Sequence, residues 1–296
     1  MSTIFDYLKE VTYDSIYDCP FKELDVLALT ELTYLPFGHI VPQGDTTGIQ
    51  VRLSDAMELI DRTTDFIVSN QHLQLVDELA SSKRFKNIKL LNYVDEYDPD
   101  VQKQFAAMTY RLSLDTYLVV FRGTDDTLIG WKEDFHMTYM DHVPAQKRAA
   151  SYLQHVMKEF PKGRFLVAGH SKGGNLATYA CSYLPDSLFE RVDAIYSYDA
   201  PGLNKAIIET EGYQRTSPNI RRFVPQGSIV GMMLEVPEPT TIVKSHAFGG
   251  FAQHDAFTWE TKDLSFLTVT ETSPDSQQTD LTLKQWVRET SSEERK

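Results

Sequence analysis

Arg164-Phe165-Leu166-Val167-Ala168-Gly169-His170-Ser171-Lys172-Gly173-Gly174-Asn175-Leu176-Ala177-Thr178-Tyr179-Ala180 is an apolar strand-like run, a glycine-flanked serine and a helix-forming run, in that order. The central Gly169-His170-Ser171-Lys172-Gly173 fits G-x-S-x-G, and its flanks supply the strand–turn–helix context that gives the pattern meaning. Glycines at 169 and 173 remove the Cβ atoms that would collide as the backbone reverses. Ser171 is then expected at a strained bend, its hydroxyl above the sheet edge. The following helix turns its free N–H groups and positive dipole end toward whatever bonds to that oxygen.

Working outward, the order is strand, helix, strand, helix, strand, which predicts an α/β fold: a mostly parallel central sheet with helices on both faces. Helix 145–160 precedes strand 164–168, helix 173–184 precedes strand 192–198, and helix 204–212 precedes strand 220–224. The runs 105–112 and 116–122, joined by a short polar connection, read as a hairpin entering that sheet. Residues 240–243 are short and strand-like. Upstream, apolar residues at helical spacing predict helices over 21–34, 54–67 and 71–80, with Ser54 and Asn70 as N-caps. The acidic stretch 92–100 reads as ending in a Pro-containing turn. These elements suggest one domain over 1–272, mainly helical over 1–103 with its core at 104–272. A polar tail follows at 273–296, with a helix near 281–288. No internal repeat and no phosphate-cradling glycine loop is present.

Bulk properties narrow the function. The chain of 296 residues has room for a large packed core, and its 42% hydrophobic and 24% charged residues are those of a soluble globular protein. The net charge of −13 argues against nucleic-acid binding and disfavours docking on anionic lipid. No apolar run is long enough to span a bilayer, so stable membrane insertion is not expected. The first residues lack a basic segment followed by an apolar one, so a cytoplasmic location is expected. Cys19 and Cys181 do not make a disulfide framework, and no metal or cofactor motif is found.

A serine hydroxyl becomes a nucleophile when an imidazole takes its proton and a carboxylate orients that imidazole. With this elbow the chain order is serine, acid, histidine. Of the eight histidines, only His246 and His254 lie beyond the serine and its neighbour His170. His254 sits in a glycine-opened loop, Gly249-Gly250-Phe251-Ala252-Gln253-His254, and is favoured over His246. Asp199 closes strand 192–198 at the carboxyl edge, where catalytic groups gather in open α/β sheets. It is the favoured acid, although Asp before Ala200-Pro201-Gly202 also suits a turn cap, and Glu235 is the rival. For the oxyanion hole, one donor is the Lys172 backbone, and a second is expected from Thr124, after strand 116–122. The Lys172 side chain is expected to be solvated. Residues 125–131 suit a small lid, and 229–234, with Met232 and Met233, suit either an acyl pocket or plain core.

The combination resembles the class 3 lipase family of the α/β-hydrolase superfamily. The resemblance rests on Phe121-Arg122-Gly123-Thr124, Gly130-Trp131-Lys132-Glu133-Asp134, Gly169 to Gly174, and Tyr198-Asp199-Ala200-Pro201-Gly202. More closely, the chain is similar to the bacterial Mbeg1-like (DUF2974) branch, including at Val143-Pro144-Ala145-Gln146, Val224-Pro225-Gln226-Gly227-Ser228-Ile229-Val230-Gly231 and Gln253-His254-Asp255. The resemblance implies an α/β-hydrolase fold and a small acyl ester or lipid-like substrate. One departure stands out: class 3 lipases carry the triad aspartate ahead of an Ile-Val pair, where this chain has Ser228. Two functions follow as expectations. The first is a serine esterase using Ser171, His254 and Asp199; the second is a weak or inactive hydrolase-fold protein kept for binding or scaffolding.

Overall fold

The computed structural model describes residues 1–46, 48–65, 67–100, 103–123, 142–278 and 281–282. Among these residues the larger of two sheets has nine strands and follows chain order. The strands are β1 (Val51–Arg52), β2 (Lys89–Asp98), β3 (Lys103–Arg111), β4 (Thr116–Phe121), β5 (Arg164–His170), β6 (Val192–Tyr198), β7 (Ile220–Pro225) and β8 (Thr240–Val243), closed by a short strand Thr268–Val269. From β4 to β8 every pairing is parallel. β3 and β4 form the expected hairpin, antiparallel with Ala107 opposite Phe121.

Alternation along the strands buries both faces of this sheet. Leu118 and Val120 of β4 join a core built with the N-terminal helices α1 (Ile4–Glu10), α2 (Glu23–Leu32), α3 (Leu53–Leu59) and α4 (Asn70–Ser81). Tyr117, Val119 and Phe121 point into a second core with α5 (Pro144–Glu159) and α6 (Lys172–Ser182). Strands buried on both faces read as continuous apolar runs, as 117–121 and 165–168 do. The layering, the parallel core and the strand-to-helix bend at Ser171 make this an α/β-hydrolase fold.

Several elements differ from the sequence expectation. The acidic stretch 92–100 does end in a turn at Pro99, but β2, a strand not expected there, occupies most of it. Its charges are partnered: Asp95 by Arg122, and Glu96 by Lys103 and Arg148. The helix expected over 54–67 stops at Leu59, and beyond it the Asp61 side chain accepts the Thr63 N–H, closing a local turn. Ser69, rather than Asn70, caps α4. The helix expected over 204–212 is two pieces, Lys205–Ile208 and Glu211–Thr216, because Thr210 caps the second. The end of the expected tail helix lies outside the described residues. α2 is buried on all sides, including Asp25, which is ion-paired with buried Arg84 at 2.7 Å.

The bend depends on glycine at its tightest points. A Cβ on Gly169 would lie 2.0 Å from the Gly173 carbonyl carbon, and one on Gly173 would lie 2.1 Å from the Phe121 carbonyl oxygen. Both obstacles are backbone, so neither can swing aside. Gly173→Ala is therefore expected to cost at least about 3 kcal/mol, the upper end of overpacking. Chemical denaturation measures this, and a variant as stable as the wild type would show that α6 does not press on the end of β4.

Candidate active site

Ser171 is the N-cap of α6, with φ 57° and ψ −135°. Such a conformation is costly for a residue bearing a side chain and persists only where its surroundings enforce it. Here β5 delivers the chain, the Ser171 N–H donates to the Tyr198 carbonyl at 2.9 Å, and glycines let helix and strand close together. Gly123, just beyond β4, packs against the same spot. A Cβ there would lie 3.1 Å from Ser171 Cβ and 2.3 Å from the Tyr34 hydroxyl.

Asp199 follows β6 directly and is fully buried, with φ 41°, a left-handed conformation that Asp tolerates better than most residues. Its Oδ2 lies 2.6 Å from His254 Nδ1. Its Oδ1 accepts from the Ser228 hydroxyl at 2.5 Å and from the Gly231 N–H at 3.2 Å. Ser228 Oγ in turn accepts the Gly231 N–H at 2.9 Å. Burial pushes the Asp199 carboxyl up, but the bond to His254, its charge and the Ser228 hydroxyl together hold it below the usual carboxylate value. Burial likewise pushes His254 down. The Asp199 carboxylate more than reverses this, so the ring is more basic than an ordinary histidine.

The serine at 228, which departs from the resemblance, is thus a hydroxyl that supports a carboxylate on the neighbouring strand. Hydrogen bonds to charged groups are worth roughly 1.5–3 kcal/mol. Ser228→Ala is accordingly expected to lower kcat for ester substrates about 10-fold or more. It should also move the acid limb of the pH profile upward, because a less stabilised Asp199 holds the imidazolium proton more tightly. A profile superimposable on wild type would separate Ser228 from the Asp199–His254 pair.

Ser171 and His254 line one cavity of about 290 Å³. His170 shares it. Its Nε2–H donates to the His254 carbonyl at 2.9 Å, and the two rings lie 4.6 Å apart, 30° from parallel. The rest of the wall includes Glu31, Tyr34, His72, Phe251 and Asp255. Glu31, Tyr34 and His72 come from the N-terminal helices and their ends, and no local pattern marks them for this site. Glu31 is buried between the two imidazoles, with Oε1 3.2 Å from His170 Nδ1 and Oε2 3.6 Å from His72 Nε2. Burial pushes this carboxyl up, but His170 and His72 outweigh it, and its pKa is lowered.

The remaining sequence candidates fall elsewhere. His246 is exposed and lines a separate cavity with Gln226, Lys244 and Glu260. Glu235 is exposed, and its backbone bridges to Leu203. The Lys172 side chain is not solvated: it is buried, and its Nζ donates to the Gln104 carbonyl at 3.2 Å. The stem is covered because α6 packs against the sheet there. Met232 and Leu234 line another cavity of about 180 Å³ that does not include Ser171. Thr124 and the stretch 125–131 lie outside the described residues. Among the described residues no group of acidic, histidine or cysteine side chains is arranged to hold a metal ion, and no helix is long and apolar enough to cross a membrane.

Comparison with solved structures finds lipases at low identity. A mutant form of MDLA from Penicillium cyclopium is 13% identical, with 85% of this chain and 87% of that one covered and a TM-score of 0.48. The lipase from Rhizopus microsporus var. chinensis is 16% identical over 64% and 69% of the two chains, at a TM-score of 0.41. The Lip2 lipase from Yarrowia lipolytica is 12% identical over 60% and 74%, at 0.38. No curated protein matches the chain significantly. The Mbeg1-like family model matches residues 79–296, and the chain belongs to the Mbeg1-like family.

Proposed function

We propose that this protein is a serine hydrolase that cleaves carboxylic esters of an acyl or lipid-like kind through an acyl-enzyme. The observation that carries the reading is the 2.6 Å bond between buried Asp199 and His254, in the same cavity as a serine held at a strained bend. Asp199 accepts from His254 Nδ1–H, which leaves Nε2 as the free base. That nitrogen takes the Ser171 proton as Oγ attacks the scissile carbonyl, and returns it to the departing alkoxide. Water then repeats the sequence on the acyl-enzyme and releases the acid. Negative charge on the tetrahedral oxygen falls at the start of α6, where the Lys172 N–H and the helix dipole favour it. Thr124 is the proposed second donor, reached from the Gly123 backbone packed beside Ser171.

Turnover of p-nitrophenyl esters from acetate to palmitate, with labelling by a fluorophosphonate, tests the reading. Hydrolysis at some chain length together with stoichiometric labelling is expected. A folded protein that neither turns over any of these esters nor takes the label belongs to the scaffold reading instead.

A further inference from the structure

Glu31 and His72 line the cavity that holds Ser171, and each has a buried polar atom without a hydrogen bond. The Ser69 backbone N–H donates to His72 Nδ1 at 3.1 Å, so Nδ1 is an acceptor and the ring proton sits on Nε2. That Nε2–H is buried and has no hydrogen-bond partner among the described residues. The Glu31 Oε2 atom, 3.6 Å away, is beyond hydrogen-bond reach. Glu31 Oε1 is likewise buried without a hydrogen bond. His170 Nδ1 lies 3.2 Å from it, but burial holds the His170 ring below the usual histidine value, and the neutral ring's one proton sits on Nε2 and goes to the His254 carbonyl. Both residues are more than nine-tenths buried, at 4% and 7% exposure.

An unmatched donor beside an unmatched acceptor is a poor wall for an alkyl chain, because each group has lost its hydration for nothing in return. One hydroxyl satisfies both: its O–H donates to Glu31 Oε1 and its oxygen accepts from His72 Nε2–H. An ammonium group satisfies only the carboxylate and leaves the His72 donor facing a cation. Resting on the hydrolase reading above, we propose that Glu31 and His72 form a hydroxyl-recognising subsite. The preferred substrate is then an ester that carries a free hydroxyl close to its scissile carbonyl. That hydroxyl lies either on the acyl group or on the alcohol.

The test compares kcat/KM within pairs that exchange hydroxyl for methyl. For the alcohol side the pair is 2-hydroxyethyl butyrate and n-propyl butyrate. For the acyl side it is the p-nitrophenyl esters of 3-hydroxybutyrate and 3-methylbutyrate. Sites with buried polar groups reject analogues that lack the matching group strongly, so a preference of at least about 10-fold for the hydroxylated member is expected in one pair. The pair showing it identifies which side of the ester bears the group. His72→Phe and Glu31→Leu should each bring that ratio toward one, and Glu31→Gln, which keeps an acceptor, should retain more of it than Glu31→Leu. The wild-type ratio decides the matter even if a variant fails to fold. Ser171-dependent turnover with no preference in either pair overturns this inference and leaves the hydrolase reading standing. Absence of turnover on every ester overturns both.

Discussion

Ser171→Ala is expected to lower kcat for any accepted ester by about a million-fold, since under the proposed Ser-His-Asp mechanism loss of the nucleophile costs nearly as much as loss of the whole unit. The effect is large because, among the described residues, Ser171 is the one hydroxyl presented at the junction of β5 and α6. Alanine retains the Cβ that Gly123 is shaped to pass, so the variant should keep its circular dichroism and cooperative melting. Fluorophosphonate labelling gives a second readout, stoichiometric for wild type and absent for Ser171→Ala. Equal labelling of both proteins, or substantial turnover by the variant, would place the reactive group elsewhere.

How far the sequence revealed this architecture depended on whether a signal was local. The bend at Ser171 is local: two glycines, an apolar strand before and a helix after lie within one short window, and steric exclusion leaves few ways to fold it. The hairpin 105–122 and the parallel strands were legible for the same reason, since fully buried strands leave unbroken apolar runs. β2 was obscured because Asp95, Glu96 and Asp98 mask the strand pattern ahead of the turn at Pro99, and their partners Arg122 and Arg148, which neutralise the first two, are distant in sequence. The N-terminal helices were legible as helices but not as part of the site. Glu31 and His72 meet His170 only because α2 and α4 cover the sheet face beneath the bend, and no spacing rule within either helix announces that meeting. The Asp199–His254 contact lay between these extremes: chain order and the position after β6 narrowed the choice, and the fold supplied the juxtaposition. Ser228, standing where an aspartate is expected, left two readings open, an acid supplied by Asp199 from the adjacent strand end or weakened machinery; its hydroxyl is bonded to the Asp199 carboxylate one strand away.

Asp199→Asn should lower kcat by about 10³- to 10⁴-fold, the penalty for presenting an imidazole in the wrong tautomer. Asparagine is the informative replacement because it tolerates the left-handed backbone at φ 41° and its carbonyl can still accept from Ser228 and Gly231. Alanine would mix backbone strain with the chemical loss. In the variant an amide N–H faces His254 Nδ1, so that nitrogen becomes the acceptor and the proton moves to Nε2, where it blocks the base. The pH profile separates this from a merely structural defect. Turnover needs neutral His254, and in wild type Asp199 raises its pKa, so activity should fall on acidification from a pH above the ordinary histidine value of about 6.5. Without the carboxylate the imidazolium loses its chief support while burial still disfavours it, and the acid limb of the residual activity should move to lower pH. Glu235→Gln, altering an exposed side chain, should leave both rate and profile as they are. If the acid limb stays in place in Asp199→Asn and moves in Glu235→Gln, the orienting carboxylate is Glu235, and the 2.6 Å contact at Asp199 serves the loop that carries His254 rather than the ring's basicity.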